Sequence, residues 1–424
     1  MNQTEESILN PEISERNILM IDVLKRGKDV DPARLSALTP ENWKKFKAIA
    51  AHQRVTPLVF YRLKKKNLDQ AVPSDVYASL KEVYQQNIIR IMKISGQSRR
   101  VLKALNTAGI PTIPLKGIVL ANSVYESIGL RKMSDIDLLV PSEKLARAVE
   151  ILTGMGYKTL EPFSLDSIIQ FRMHLPPFVK KDHVTIEIHW NITSPNTYYS
   201  IDPQELWEQA VPGQILDYET LILSPEDFLL HICLHTSYQH QFDFGLGPFC
   251  DIAEVIHHFG TTLDWQVAME KAHQRVWSRG VYMALVIAAE FAGADVPRDV
   301  LERLRPADVT DSVLNNVAAQ ILTEKYSTAR VFEIYSNILA QNSFIDQIKI
   351  IIKRVFMPRK TIASQNLVPV DSFRVYLYYP LRFIDVLLRH GRTFLFVAKQ
   401  KDIDPSLKIL IERKNLISKW LSGA

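Results

Sequence analysis

Between Gly129 and Val140 the chain reads Gly-Leu-Arg-Lys-Met-Ser-Asp-Ile-Asp-Leu-Leu-Val, and its last six residues constrain the fold more than any other stretch. Two carboxylates one residue apart open an otherwise apolar run. In an extended strand alternate side chains share a face, so Asp135 and Asp137 project together while Ile136, Leu138 and Val140 turn toward a core. Ionised carboxylates ~6 to 7 Å apart repel by roughly 2.5 kcal/mol at an effective dielectric of ~20, so the pair asks for protonation, screening or a cation. A hard divalent ion meets that need, because Mg²⁺ is held by one or two carboxylates together with substrate phosphates.

Upstream, residues 110–115 read as a short buried strand, and Lys116-Gly117 stands where it turns into a helix spanning 117–128. Such a turn is receptive to phosphate: glycine lets the backbone come close, a helix N-terminus offers unpaired N–H groups, and lysine adds a point charge. Its bland reading is a surface turn. Downstream, Val184-Thr-Ile-Glu-Ile-His-Trp190 alternates, with Val184, Ile186, Ile188 and Trp190 on one face and Thr185, Glu187 and His189 on the other. That polar face is either solvated or, beside the aspartates, the source of a third carboxylate. Three acids on neighbouring strands can hold the two divalent ions of in-line nucleotidyl transfer.

Together these segments resemble the bacterial uncharacterised nucleotidyltransferase family of the polymerase-β-like nucleotidyltransferase superfamily. The resemblance rests on the Leu115-Lys-Gly117 turn, the Asp135-Ile-Asp-Leu-Leu-Val140 strand and the Glu187-Ile-His-Trp190 strand. It extends to Phe46–Leu63, with His52-Gln-Arg-Val-Thr-Pro57, and to Leu223-Ser-Pro-Glu-Asp-Phe-Leu-Leu-His231 onward to Asp251, so that residues 40–310 are covered. It implies that Asp135 and Asp137 bind catalytic and nucleotide-bound Mg²⁺ or Mn²⁺, with Glu187 as third carboxylate. A nucleoside triphosphate such as ATP is the implied donor. One departure stands out: the superfamily places Gly-Ser at the helix start, whereas Lys116-Gly117-Ile118 carries no serine there, leaving the grip on the triphosphate open.

At 424 residues, 47% hydrophobic and 23% charged, the chain has the balance of a globular protein with a sizeable core. Met1-Asn-Gln-Thr-Glu-Glu-Ser7 lacks a secretory pattern, and no window offers the ~20 apolar residues of a membrane span, so a cytoplasmic location is expected. Cys233 and Cys250 fall in apolar helical stretches and read as buried reduced thiols. The expected architecture is α+β: a small mixed-sheet core at 107–222 between an N-terminal helical region, 1–106, and a helical domain closing the cleft, 223–310. The core reads as the strands and helix above, a strand at 135–140, a helix at 142–155 and strands near 157–161, 178–190 and 215–222. Ser224-Pro-Glu-Asp227 then combines an N-cap serine, a first-turn proline and first-turn acids.

The remaining stretch, 311–424, is basic. From Lys349 onward, 15 Lys and Arg face 5 Asp and Glu, a net +10 that leaves −5 for the first 348 residues. The charges are spread singly through apolar segments such as Phe373–Arg389. That pattern suits a solvated packing face or a peripheral contact with membrane or protein, and no recognised nucleic-acid-binding module accompanies it.

Four histidines, His189, His231, His235 and His240, cluster in sequence. His231 and His235 share a helix face at zinc-ligand spacing, yet Ile232 occupies the place where a metalloprotease carries Glu. Core histidines and cleft residues are the other readings, and the resemblance favours the cleft for these and for His174 and Asp251, either of which could position or deprotonate an acceptor hydroxyl. Arg131 is expected to pair with the acids or a phosphate, and Ser134 to bond a phosphate or cap the turn. No P-loop, nucleophile elbow or kinase signature occurs. The expected activity is transfer of a nucleoside monophosphate to an acceptor hydroxyl, with a sugar or glycan precursor as the leading candidate acceptor. The rivals are an inactive nucleotide-binding scaffold and a toxin-like enzyme acting on RNA or protein.

Overall fold

The computed structural model describes residues 15–160, 162–322, 372–381 and 405–423, together with 359, 362, 383 and 384. Five helices come first: α1 (Glu15–Leu24), α2 (Pro32–Ser36), α3 (Pro40–His52), α4 (Thr56–Lys65) and α5 (Ser74–Thr107). Side-chain oxygens of Asp31 and Thr39 cap α2 and α3, each of which opens on a proline whose missing N–H costs nothing there. Pro73 precedes α5, which runs for 34 residues and buries Leu80, Ile91, Ile94, Val101 and Leu105 along one stripe.

The polar side chains of that stripe fix the strands that follow. Asn87 Nδ2 donates to Gly129 O at 2.8 Å and Arg131 O at 3.2 Å, and Arg90 Nε donates to Met133 O at 3.1 Å. Gln97 brackets Val184, donating to its carbonyl at 2.7 Å and accepting its N–H at 3.0 Å. One helix therefore pins both the loop that enters the aspartate strand and the start of its neighbour. Gly129 is needed at the crossing, since a Cβ there would lie 2.4 Å from Ile88 Cγ1.

Five short strands form a mixed sheet in the order β1-β2-β5-β4-β3: β1 (Ile113–Pro114), β2 (Asp135–Leu139), β3 (Lys158–Thr159), β4 (Phe178–Val179) and β5 (Thr185–His189). Pro114, which cannot donate to a ladder, sits on an edge strand. β2 and β5 run parallel with Asp135 beside Thr185, Asp137 beside Glu187 and Leu139 beside His189. Ile136, Asp137, Leu138 and Leu139 are all buried, so both faces of β2 are covered and the acids do not lie on an open surface.

Several expected boundaries differ. The strand expected over 178–190 is two strands joined by a turn in which Asp182 takes φ +60°, and β4 folds back antiparallel on β5. The helix expected over 117–128 is a single α turn, α6 (Gly117–Val119), followed by a π-helical turn, Leu120–Val124. The strand expected at 215–222 is a hairpin, β6 (Val211–Ile215) and β7 (Tyr218–Ile222), whose turn residues Leu216 and Asp217 both take positive φ, the geometry that matches strand twist. Helices α7 (Leu145–Gly154), α8 (Leu165–Phe171) and α9 (Pro203–Gln209) complete this part.

From Ser224 the chain is helical: α10 (Pro225–Leu234), a second π turn (His235–Gln239), α11 (Gly247–Phe259), α12 (Trp265–Gln274), α13 (Ser278–Ala292), α14 (Arg298–Leu304) and α15 (Asp311–Leu322). Ser224 Oγ accepts the Asp227 N–H at 3.2 Å, the cap its sequence predicts. Glu254 of α11 ties the helical parts together, pairing with Arg26 at 2.8 Å and with Arg62. The C-terminal helix, Pro405–Ser422, adds Ile417, Trp420 and Leu421 to a hydrophobic core that begins at Leu19. Cys233 and Cys250 are buried and unpaired. Among the described residues no helix is long and apolar enough to cross a membrane. Most of the basic stretch from Lys349 lies outside the described residues.

Candidate functional site

The register of β2 and β5 carries the geometry of the site. Because Asp137 faces Glu187 across a parallel ladder and His189 lies two residues further on the same face, ligand atoms of these three residues lie within 4.8 Å of one another. Asp137 Oδ1 accepts from His189 Nε2 at 2.9 Å and from Lys116 Nζ at 3.1 Å. His189 Nε2 also stands 3.5 Å from Glu187 Oε2. Asp135 falls outside this mutually close group but sits beside it, where the charges of Asp137 and Glu187 act on it.

The electrostatics differ from one carboxylate to the next. Burial works against charge on Asp137, yet Lys116 and His189 outweigh it and hold the carboxyl well below the usual range. Glu187 is also lowered, by its contact with His189 against the opposing effects of burial and Asp137. Asp135 is raised, first by burial and then by the two neighbouring acids. His189 is raised: burial opposes its protonation, but contacts with Asp137 and Glu187 prevail. Its Nδ1 is buried without a hydrogen-bond partner among the described residues. Three acids against one lysine and one imidazole leave the cluster short of positive charge, and the oxygen-rich donor set fits a hard divalent cation.

Lys116 reaches Asp137 from a backbone at φ +46° and ψ −118°, a conformation that costs a side-chain-bearing residue roughly 1–3 kcal/mol. Gly117 follows because a Cβ there would come within 3.0 Å of Met133 Cγ. With only one α turn after it, the helix dipole expected to attract phosphate is short, so side chains must supply the positive charge. They do: Arg54, Lys116, Arg131 and Lys132 all line a cavity of about 340 Å³ that also takes in Asp135, Asp137 and Glu187.

The cavity gathers most of the residues singled out in the sequence. Gly117, Ser134, His174, His189, His235 and Asp251 line it. His174 forms a β-bridge to His189, their rings 5.0 Å apart, and burial with the nearby His189 lowers its pKa. His231 is buried below the surface of the cavity, within electrostatic reach of Lys116, His189 and Asp137. It shares no metal-binding group with His235 among the described residues. Asp251 is spoken for: Tyr125 Oη donates to it at 2.8 Å and Arg131 Nε at 2.9 Å, so Arg131 pairs with Asp251 rather than with the β2 acids.

Arg54, Lys132, Met173, Gln239 and Phe244 line the cavity as well; Arg54 and Lys132 fall within the stretches His52–Pro57 and Gly129–Val140, but none of the five is marked as a site residue by its own sequence context. Arg54 takes φ +63°, and Gln241 and Phe242, just before Phe244, take +47° and +61°. Arg54 and Lys116 are thus two lining residues held in the left-handed region, where surrounding structure must over-determine the backbone.

A small mixed sheet thus presents converging acids beside a Lys-Gly turn, with helices packed around it. Residues 39–293 match the family described as Uncharacterised nucleotidyltransferase, well over half of the chain, and the protein belongs to that family. The match ends at Gly293, the left-handed cap of α13 at φ +68°. No curated protein matches the chain. Membership makes nucleotidyl transfer the general function and a nucleotide the general substrate.

Proposed function

We propose that the protein is a divalent-metal-dependent nucleotidyltransferase in which Asp135, Asp137 and Glu187 form the catalytic centre and a nucleoside triphosphate is the donor to an acceptor hydroxyl. The observation that carries this reading is the convergence of Asp137, Glu187 and His189 beside Lys116 and Asp135. Mg²⁺ or Mn²⁺ held by the carboxylates would neutralise phosphate charge and acidify the attacking hydroxyl.

The chain's own groups do the rest. His189 Nε2 keeps Asp137 and Glu187 turned toward one point, as outer-shell imidazoles do for ligating carboxylates. Lys116, already in the cluster, transfers its ammonium from Asp137 Oδ1 to the incoming phosphates. Arg131, held by Asp251, presents its guanidinium from the loop before β2, and Gly117 with Ser134 lets the phosphate chain lie against the backbone. Asp135, whose carboxyl is raised by burial and by the two neighbouring acids, would gain most from the charge of a bound cation.

The test is incubation of the protein with each α-labelled nucleoside triphosphate, Mg²⁺ and a fractionated cell extract, with label and pyrophosphate followed together. Asp137→Ala should abolish pyrophosphate release and weaken Mn²⁺ binding while leaving the fold intact by circular dichroism. Wild-type turnover in that variant would overturn the assignment.

A further inference from the structure

Part of the cavity wall is built from rings. The second π turn, His235–Gln239, closes α10, and the chain then turns back so that His235, His240 and Phe244 meet. Ring centroids stand 4.4 Å apart for His235 and His240 and 4.1 Å for His240 and Phe244, while His235 and Phe244 are stacked at 6.1 Å with planes 21° apart. The two imidazoles share a hydrogen bond, Nε2 to Nε2, at 3.2 Å, so one donates and the other accepts. Burial, with Lys116 and His240 nearby, keeps His235 well below the usual histidine range. All three rings are partly exposed and line the cavity.

The loop that carries Phe244 is firmly held. Gln53 Oε1 accepts the Leu246 N–H at 2.8 Å, and Gly245, at φ +71°, leaves no room for a Cβ, which would lie 2.4 Å from that same oxygen. Arg54, next in the chain to Gln53, places its guanidinium 5.7 Å from the centre of the Phe244 ring. Arg54 also feels the charges of Arg131, Asp135 and Asp251. It therefore stands at the junction between the rings and the charged half of the cavity.

We propose that His235, His240 and Phe244 form the seat of the donor's nucleobase, an assignment that rests on the nucleotidyltransferase reading above. The argument is one of adjacency within one cavity. The rings share it with the acids, His235 lies within electrostatic reach of Lys116 and Asp137, and Arg54 meets both the Phe244 ring and the charges of Arg131 and Asp135, so a base among the rings would leave its phosphates near the charged cluster. An acceptor sugar would match the rings but would not account for Arg54 bridging them to the charged cluster. Recognition is by stacking, which tolerates every base because each has a π-face, so the preference follows stacking area, with purines ahead of pyrimidines.

The test is equilibrium binding, by calorimetry in Mg²⁺, of three probes: the α,β-methylene analogue of ATP, the corresponding analogue of UTP, and inorganic tripolyphosphate. The wild-type protein should bind the ATP analogue more tightly than the UTP analogue, and both more tightly than tripolyphosphate. Phe244→Leu should weaken the ATP analogue by about tenfold or more and leave tripolyphosphate unchanged, and Phe244→Trp should restore the difference. Tripolyphosphate binding as tight as the nucleotides, or loss of all three probes in Phe244→Leu with no rescue in Phe244→Trp, overturns the nucleobase seat while leaving a triphosphate site in place. Nucleotide affinity unaffected by Phe244→Leu overturns it too and gives the rings to the acceptor. Failure of all three probes to bind the wild-type protein overturns the nucleotidyltransferase reading itself.

Discussion

Asp137 of β2 and Glu187 of β5 are register partners in a parallel ladder, and the same imidazole, His189 Nε2, lies 2.9 Å from the first and 3.5 Å from the second. Two acids that would repel are thereby held facing one another in the free protein. Lys116 supplies the compensating charge, at 3.1 Å from Asp137 and only 14% exposed.

Lys116→Met should therefore cost more than a surface lysine would. Removing one member of a buried pair leaves an uncompensated charge, worth about 3–5 kcal/mol when burial is complete and less here because the ammonium is partly accessible. In EDTA the variant should melt below wild type, and Mn²⁺ should raise its midpoint further than it raises that of wild type. Equal responses to Mn²⁺ in the two proteins would count against Lys116 occupying the cation's place.

Asp251→Ala removes the partner of both Arg131 and Tyr125. Burial raises the Asp251 carboxyl, but Arg131 and the Tyr125 hydroxyl stabilise its ionised form. The substitution should lower unfolding free energy by about 3–5 kcal/mol, against about 1 kcal/mol for Tyr125→Phe, as read from urea denaturation. A cost for Asp251→Ala no larger than that for Tyr125→Phe would show that the guanidinium finds another anchor.

Acid stability offers a separate check at Glu126, which bonds Lys65 at 2.6 Å and accepts from Tyr61 Oη. These contacts lower its carboxyl from 4.5 to about 2, and Tyr61 is correspondingly pushed up to about 12, burial coming first and Glu126 second. A depressed folded pKa means that the stabilisation is fully present above pH 4.5 and is lost as pH falls toward about 2. The side chain is 37% exposed, so solvent screening limits the effect to about 1 kcal/mol or less. The stability gap between wild type and Glu126→Gln should shrink from pH 6 to pH 3, and a gap that stays constant would refute the pairing.

The C-terminal helix reaches the cavity indirectly. Lys414 bonds Asp243 at 3.0 Å, and Gln320 of α15 bonds the same carboxylate at 3.0 Å, one residue before Phe244. Lys414→Ala should reduce affinity for the ATP analogue by a few-fold, in keeping with about 1 kcal/mol or less from a partly exposed pair, and leave Mn²⁺ binding unchanged. Parallel loss of both would place the effect in global stability instead.

What could be read from sequence was local and periodic. The alternation in Asp135–Val140 and Val184–Trp190 yields two strands with acids on a shared face, and Ser224-Pro225 yields a helix start, because pleat and cap follow from a few adjacent residues. The break at Asp182 carries neither glycine nor proline, so the expected strand ran through it. The π turns leave no compositional mark. Arg54 and Phe244 join the cavity through tertiary contact between the end of α3 and the loop before α11, at a separation that no motif spans. His189 lies on the polar face that the alternation predicts, but its place between Asp137 and Glu187 depends on register, which only the paired strands define.

The two π turns, Leu120–Val124 and His235–Gln239, both border the cavity, and each carries one residue more than regular winding requires. That extra residue sets phase. Deleting one position from His235–Gln239 would restore α-helical winding, turn the side chains at the end of that helix by about 100° around its axis, and change where the chain leaves it toward His240 and Phe244. The chain length of these two turns is thus as much a part of the cavity as the identity of the residues that line it.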